Sequence, residues 1–351
     1  MWATVVMQTL VTGGSGFIGQ HLVAALLRQG RRVRILDIRP PTCDLEGVQF
    51  LKGSVLDPAK VREAVSGVEE VYHLAALPGM WVPRKQDFHN VNCLGTEVVI
   101  AAARDHGVSR LLHCSTESIL FSASNRDKFV AEHVSTTLEE MPGAYTRSKL
   151  IAELRALEAA ASGFPVVVAS PTMPIGNDRS LTPPALMLQH FMKQRIQFYL
   201  DFVVNLVDVQ DVADGLMLAM QRGRSGERYV LGGENISLKK LLAILAIRSG
   251  RKTIPIPVSA GPAQMIAAAV EFTANHATHR PPAATVEGVR IALWSKPLSI
   301  EKSRRELGYS PRPIGPALER AVLSIIDHNK RLSEGHHANW VCYFERGVDT
   351  T

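Results

Sequence analysis

A chain of 351 residues with 46% hydrophobic and 21% charged residues has the size and composition to bury a large core, in one elaborated domain or two unequal ones, and is not a disordered segment. Its net charge of +6 would suit nucleic acid, yet Lys and Arg are scattered among acids apart from a modest basic region between Arg280 and Arg320. The reading is a solvated basic face with some bias toward anionic substrates or membrane surfaces, and no nucleic-acid partner.

The first element is an apolar run, Val5 to Val11, which reads as a buried strand. Thr12-Gly13-Gly14-Ser15-Gly16-Phe17-Ile18-Gly19 follows, and then an amphipathic run from Gln20 to Gln29 that reads as a helix. Strand, glycine turn and helix in that order form a phosphate cradle: Gly13 allows the tight turn, Gly16 lets backbone approach a pyrophosphate, and Gly19 lets helix and strand pack closely. A second apolar strand, Arg32 to Leu36, ends in Asp37, 18 residues after Gly19. A carboxylate there accepts hydrogen bonds from the adenosine ribose hydroxyls and repels a 2′-phosphate, which favours NAD over NADP. Arg39 leaves a second option open, because it can stack on adenine or meet a 2′-phosphate.

Strands and helices then alternate: a helix near Pro58 to Val65, a strand Val71 to Leu74, a helix Asn90 to His106, a strand Arg110 to Cys114, a helix from Ala144 to Ser162 and a strand Val166 to Ala169. That alternation predicts an α/β fold with a doubly wound parallel sheet. Within it, Tyr145-Thr146-Arg147-Ser148-Lys149 places a phenol and an ammonium at i and i+4 on one helix face. A neighbouring cation favours the phenolate and lowers the tyrosine pKa, so that Tyr145 can exchange a proton with a substrate hydroxyl, while Lys149 is free to bond the nicotinamide ribose. Ser115 and Thr116 follow the strand before this helix, where a hydroxyl can bond a substrate oxygen.

Past Pro171 the pattern loosens, with Pro174, Pro183 and Pro184 in a less regular stretch to about Asn205 that leaves the sheet to build a substrate cover. Leu206 to Val209 reads as a return strand, Asp211 to Gln221 as a helix, Tyr229 to Leu231 as a strand, and Ser237 as the cap of a helix through Ser249. Val258 to Val270 reads as a short apolar helix that falls short of the roughly 18 apolar residues of a membrane span, and peripheral contact with a bilayer stays open. Domain boundaries follow: a dinucleotide-binding domain of 1–169 with 206–232, a substrate-binding domain of 170–205 with 233–330, and a loosely attached tail, 331–351. His336 and His337 in that tail read as solvated rather than metal-bound, and no metal site is expected. Cys43, Cys93, Cys114 and Cys342 lack paired spacing and read as reduced thiols of a cytoplasmic protein.

Together, Thr12 to Gly19, Asp37, His73-Leu74-Ala75-Ala76, Asn92 to Thr96, Ser115-Thr116, Tyr145 with Lys149, Ser170-Pro171-Thr172 and Val207 to Ala213 resemble the extended short-chain dehydrogenase/reductases, the NAD-dependent epimerase/dehydratase family. The resemblance covers roughly residues 5 to 330 in order. It implies a Rossmann domain with a smaller, mostly helical substrate domain. It implies catalysis by Thr116, Tyr145 and Lys149, with Ser115 as the neighbouring alternative to Thr116. It further implies that Ser15, Phe17, Ile18, Leu74, Ala75, Ala76, Asn92 and Pro171 line the dinucleotide. Ser54, with Val55, stands where the family often has an Asp against adenine. Glu117-Ser118 supplies at most one of the two groups that follow the catalytic Thr in sugar-nucleotide dehydratases.

Asn205 to Ala213, Gly226 to Asn235 and Arg305 to Tyr309 are similar to hopanoid-associated sugar epimerases and to sterol 3β-hydroxy-4-carboxylate dehydrogenases. Pro78 to Trp81, Met173, Leu181 to Met192, Phe198 to Val204 and Met265 to Val270 supply apolar side chains for a bulky substrate, or else for the second domain's own core. The expected function is oxidoreduction of a secondary alcohol or ketone on a sterol- or hopanoid-like small molecule with NAD. The alternatives are a sugar-nucleotide 4-epimerase with tightly bound NAD and a non-catalytic dinucleotide sensor. A homodimer through the helices at Asn90 to His106 and Ala144 to Ser162 is expected.

Overall fold

The apolar run near the amino end becomes β1 (Gln8–Thr12), with only its first residue short of full burial. This is a computed structural model, and it describes residues 7–42, 46–177 and 182–333. Cys43, Leu181, His336, His337, Cys342 and the tail beyond Ser333 lie outside the described residues. The glycine turn leads into α1 (Phe17–Arg28), which starts earlier than the amphipathic run because extended Gly16 already offers its carbonyl to the Gln20 N–H at 2.9 Å. There follow β2 (Arg32–Asp37), β3 (Val48–Lys52) and α2 (Pro58–Val65), whose first N–H groups are capped by the Asp57 carboxylate. Next come β4 (Glu70–His73), a single turn α3 (Gln86–Phe88), a π-helical turn at His89–Leu94, α4 (Gly95–Asp105), β5 (Arg110–Cys114), α5 (Ala144–Ala161) and β6 (Val166–Pro171).

The remainder comprises β7 (Met173–Ile175), α6 (Pro183–Lys193), β8 (Ile196–Tyr199), β9 (Val203–Asp208), α7 (Val209–Arg222), β10 (Arg228–Leu231), β11 (Glu234–Ser237), α8 (Leu238–Ser249), β12 (Ile254–Pro257), α9 (Ala260–Thr273), α10 (Val286–Trp294), α11 (Glu301–Leu307) and α12 (Gly315–Ser333). Ser237 caps α8 as its position foretold, accepting the Lys240 N–H at 3.2 Å.

The main sheet is parallel throughout, in the order β10, β6, β5, β4, β1, β2, β3. Strand order reverses at β1, which pairs with both β2 and β4, so a crevice opens outside their carboxyl ends. Leu22 and Leu26 of α1 and Val212 and Leu216 of α7 bury one face; Val61 of α2, Val99 of α4 and Ala156 of α5 bury the other. His73 stitches the crossing: its ring nitrogens pair with Thr12 at 2.8 Å and Thr96 at 2.9 Å, and burial pushes it down to about 3, so the ring is neutral.

The strand expected at Leu206 to Val209 exists, but it does not return to this sheet. β9 pairs with β7 in parallel and with β11 antiparallel, in a separate three-stranded sheet. The chain rejoins the main sheet only at β10. Around the small sheet, Leu188 of α6, Leu241 and Leu242 of α8 and Leu318 and Ile325 of α12 form a second core. Most of the apolar stretch 181–192 is therefore core rather than cover, because its side chains pack on α8 and α12.

Candidate active site

The loops at the carboxyl ends of the sheet strands meet at the crevice. The glycine turn leaves β1 with Gly13 at φ +70°, a left-handed conformation, and Gly13 N donates to the Leu36 carbonyl at 3.0 Å. A Cβ on Gly13 would lie 2.7 Å from the Ala75 nitrogen, and one on Gly19 would run into the Gly13 carbonyl. Backbone alone therefore lines the cradle at the amino end of α1, with Leu74 and Ala75 closing it from the β4 side. Leu74 N bonds the Thr12 carbonyl at 3.1 Å and Ala75 N the Thr12 hydroxyl at 3.3 Å. Phe17 is buried and Ile18 half-buried against the core, so they support the cradle from beneath.

Asp37 ends β2 beside this turn. Its carboxylate accepts from Ser15 N at 3.1 Å and Arg39 N at 3.2 Å, while burial pushes its pKa upward against those bonds. The Ser15 hydroxyl donates to the Arg39 carbonyl at 2.8 Å, so cradle and acid form one unit. Across the crevice, Ser54 accepts the Leu56 N–H at 3.1 Å and shapes the turn holding buried Val55. Asn92 is wholly enclosed: it accepts Leu77 N at 2.8 Å and donates to the Ser148 hydroxyl at 2.9 Å, tying the loop after β4 to α5. Its side chain is spent on protein groups, and the π-helical turn that carries it is the kind of local widening that recurs at functional sites. Ser115 and Ser170 present buried hydroxyls without a protein partner at the carboxyl ends of β5 and β6, beside Pro171. A backbone cradle, a buried acid beside it and orphan hydroxyls at the strand ends fit a dinucleotide laid across the crevice.

The chemistry-bearing side chains converge at the end of β5. The Thr116 hydroxyl stands near the Tyr145 phenol and bonds Glu117 at 3.1 Å and Ser118 at 3.2 Å through the same oxygen. Lys149, one turn along α5 from Tyr145, is buried and donates from Nζ to the Cys114 carbonyl at 2.8 Å; burial lowers its pKa. Phe88 lies edge-on to the Tyr145 ring with centroids 5.7 Å apart. The lowered tyrosine pKa expected from Lys149 is not found. Burial, and then the Glu117 charge, raise Tyr145, with the nearby Thr116 hydroxyl opposing them. Desolvation of a phenolate here outweighs the attraction of an ammonium that is turned toward Cys114.

The sequence pattern of the NAD dependent epimerase/dehydratase family matches residues 9–232. The chain belongs to that family. It is an enzyme of the extended short-chain dehydrogenase/reductase type with NAD as the family cofactor. The chain is 32% identical over 318 residues to a 4-hydroxy-2-methyl-3-oxo-4-farnesyl-3,4-dihydroquinoline-1-oxide ketoreductase from Stigmatella aurantiaca, covering 87% of this chain and 92% of the relative. It is 29% identical over 321 residues to sterol demethylase protein B of Methylococcus capsulatus, covering 90% and 97%. Among solved structures, gox2253 matches with a TM-score of 0.78 at 29% identity, over 92% of this chain and 98% of that one.

Two groups in this epimerase/dehydratase-family site were not assigned a role from the sequence. Glu117 lies against Thr116 and Tyr145, and burial pushes its carboxyl up to about 7, with its own N–H and the Thr116 hydroxyl pulling the other way. Its place directly after Thr116 was the available signal. Glu287, on α10, accepts from Tyr145 N, Thr146 N and the Thr146 hydroxyl. Nothing local in the sequence could have disclosed it, because it lies 142 residues from Tyr145.

Proposed function

We propose that this chain oxidises a secondary alcohol, or reduces the matching ketone, on a bulky and mainly apolar substrate of sterol or hopanoid type. The observation that carries the reading is the convergence of Thr116, at the end of β5, with Tyr145 and buried Lys149, one helical turn apart on α5. NAD, held by the Gly13 to Gly19 cradle and Asp37, supplies the hydride acceptor. In oxidation Tyr145, as phenolate, takes the substrate hydroxyl proton. Thr116 bonds the same substrate oxygen and fixes its angle to Tyr145, and Ser115 stands beside it as a second hydroxyl. Lys149 stabilises the phenolate and bonds the nicotinamide ribose; in reduction Tyr145 returns the proton. Leu74, Ala75, Ala76 and Pro171 form the walls against the cofactor, Asn92 holds the loop behind them, and Ser54, Val55 and Arg39 flank the adenine end.

Apolar groups around Tyr145 support the substrate class. Phe88 faces the phenol ring, and Trp81 and Met80 are buried or half-buried on the loop before it. The Trp81 indole N–H, which Asn275 accepts at 2.8 Å, ties this loop to the turn after α9. The two relatives carry names that specify a farnesylated ketone and a sterol. A homodimer in the cytoplasm completes the reading. Leu94, just before α4, and Leu154 on α5 are 41% and 42% exposed, apolar side chains available to a twofold-related copy. Light scattering at micromolar concentration should give twice the chain mass.

The deciding experiment is an NADH-fluorescence screen of sterol, hopanoid and long-chain hydroxy or keto compounds against sugar nucleotides, with NAD and NADP in parallel. Net NADH formation with an apolar alcohol is the expected result. Tightly bound NAD, no net NADH and inversion of a sugar nucleotide would replace this reading with a 4-epimerase. Unchanged cellular activity in a Tyr145→Phe strain would point to a dinucleotide sensor.

A further inference from the structure

Away from the redox site, a two-stranded ribbon and the helix after it expose a group of large apolar side chains. β8 and β12 run parallel, with Ile196 beside Ile254 and Phe198 beside Ile256. These four side chains share one face of a two-stranded ribbon, because alternate residues point the same way. All four are exposed, Phe198 to 65%, whereas Gln197 and Tyr199 between them are buried on the opposite face. A ribbon with one solvated face ordinarily carries polar groups there.

Parallel pairing also brings the amino ends of both strands to the same end of the ribbon. Lys193 and Arg195 precede β8, Arg251 and Lys252 precede β12, and all four are exposed. The Arg251 guanidinium donates to the Met192 carbonyl at 3.2 Å, which fixes the two basic segments side by side. No Asp or Glu occurs from Thr182 to Leu200 or from Asn235 to Val270. The ribbon's apolar face is therefore bordered by cations with no acid among the segments that build it.

The chain continues from β12 through Val258, whose N–H bonds the Tyr199 carbonyl at 2.8 Å, into α9. Only Ala267 of α9 is buried, and Met265, Ile266 and Phe272 are 74%, 54% and 64% exposed. A helix so apolar is normally covered by protein or lipid. No helix among the described residues is long and apolar enough to cross a membrane.

We propose that the β8–β12 ribbon and α9 dock this chain on an anionic lipid bilayer. The apolar side chains enter the headgroup boundary and Lys193, Arg195, Arg251 and Lys252 meet acidic headgroups. A second copy is the poorer occupant, since a twofold contact would set this cation cluster against itself. Docking also brings the bilayer to the substrate side. Asn275, just past α9, accepts the Trp81 indole N–H at 2.8 Å, and Glu271 accepts Val286 N at 2.8 Å, one residue before Glu287. The docking does not depend on the substrate being a lipid.

The test is co-sedimentation of the full chain with vesicles of phosphatidylcholine alone and of phosphatidylcholine doped with phosphatidylglycerol. Binding should be at least about tenfold tighter to the anionic vesicles and should fall as salt is raised. Phe198→Ser with Ile256→Asn, and separately Arg195→Glu with Lys252→Glu, should each abolish the preference at unchanged Tm. Tyr145→Phe should bind vesicles as the parent does, which separates this result from the redox reading. Equal binding to both vesicles, or none, overturns the proposal. So does light scattering in which the Phe198→Ser, Ile256→Asn chain loses a dimer that the parent forms, because a second copy would then occupy the face.

Discussion

Glu287 accepts the Thr146 backbone N–H at 2.7 Å and the Tyr145 N–H at 3.3 Å, and the Thr146 hydroxyl donates to it at 2.7 Å. A carboxylate on α10 thereby caps the first turn of α5, whose second residue is the proposed acid/base. The first N–H groups of a helix have no partner within it, and the positive end of the helix dipole favours a negative charge there. The cap orients Tyr145 without touching the reacting atoms.

Removing that cap separates positioning from binding. Glu287→Ala is expected to destabilise the fold by about 1–3 kcal/mol in urea unfolding, because it leaves buried N–H groups unpaired. It should also lower kcat about tenfold or more with little change in NAD affinity. Glu287→Gln, which keeps an acceptor, should recover most of both.

Tyr145→Phe removes the proton donor and keeps the ring against Phe88. The rate is expected to fall by roughly 10²–10⁴-fold, the usual worth of a positioned acid/base, with NAD binding intact by fluorescence titration. Lys149→Met should lose rate and weaken NAD binding together. A Lys149→Met chain with parental NAD affinity would remove the ribose contact from the mechanism.

Glu117 sets a pH dependence. Its folded pKa of about 7 lies above the ordinary 4.5, so the folded chain holds a proton that the unfolded chain releases between those values. Stability is therefore expected to fall as pH rises from about 4.5 to about 7, by up to about 3 kcal/mol, and Glu117→Gln should flatten that part of a Tm profile. Because the Glu117 charge raises Tyr145, the same substitution should move the ionisation controlling oxidation to lower pH. An unchanged pH–kcat/KM profile would show that Glu117 does not act on the phenol.

Asp37→Ala should raise the NADP to NAD ratio of kcat/KM at least about tenfold, as the carboxylate that repels a 2′-phosphate is lost. A ratio that does not move would assign the selectivity to Arg39 instead.

Much of the main sheet and its loops was legible along the chain. Strand, glycine turn and helix sit where Val11, Gly13 and the amphipathic run indicated, and α2, β5 and the Ser237 cap fall at their expected residues. Each of those features is local. What was less legible depends on distant partners. β9 looks like any apolar strand, and only pairing with β7 and β11 decides its sheet. Leu188 and Met192 on α6 read equally well as substrate cover or as core until α8 and α12 pack on them.

The sequence by itself determined the family, the glycine turn between strand and helix, and the one-turn spacing of Tyr145 and Lys149, because turn geometry, strand alternation and helical spacing are written in adjacent residues. The tertiary structure decided the electrostatic state of the pair. Tyr145 is raised rather than lowered, Lys149 turns to the Cys114 carbonyl, and Glu117 and Glu287 close around the same helix end. Desolvation and long-range hydrogen bonds set those properties, and both depend on which remote segments exclude water from the site.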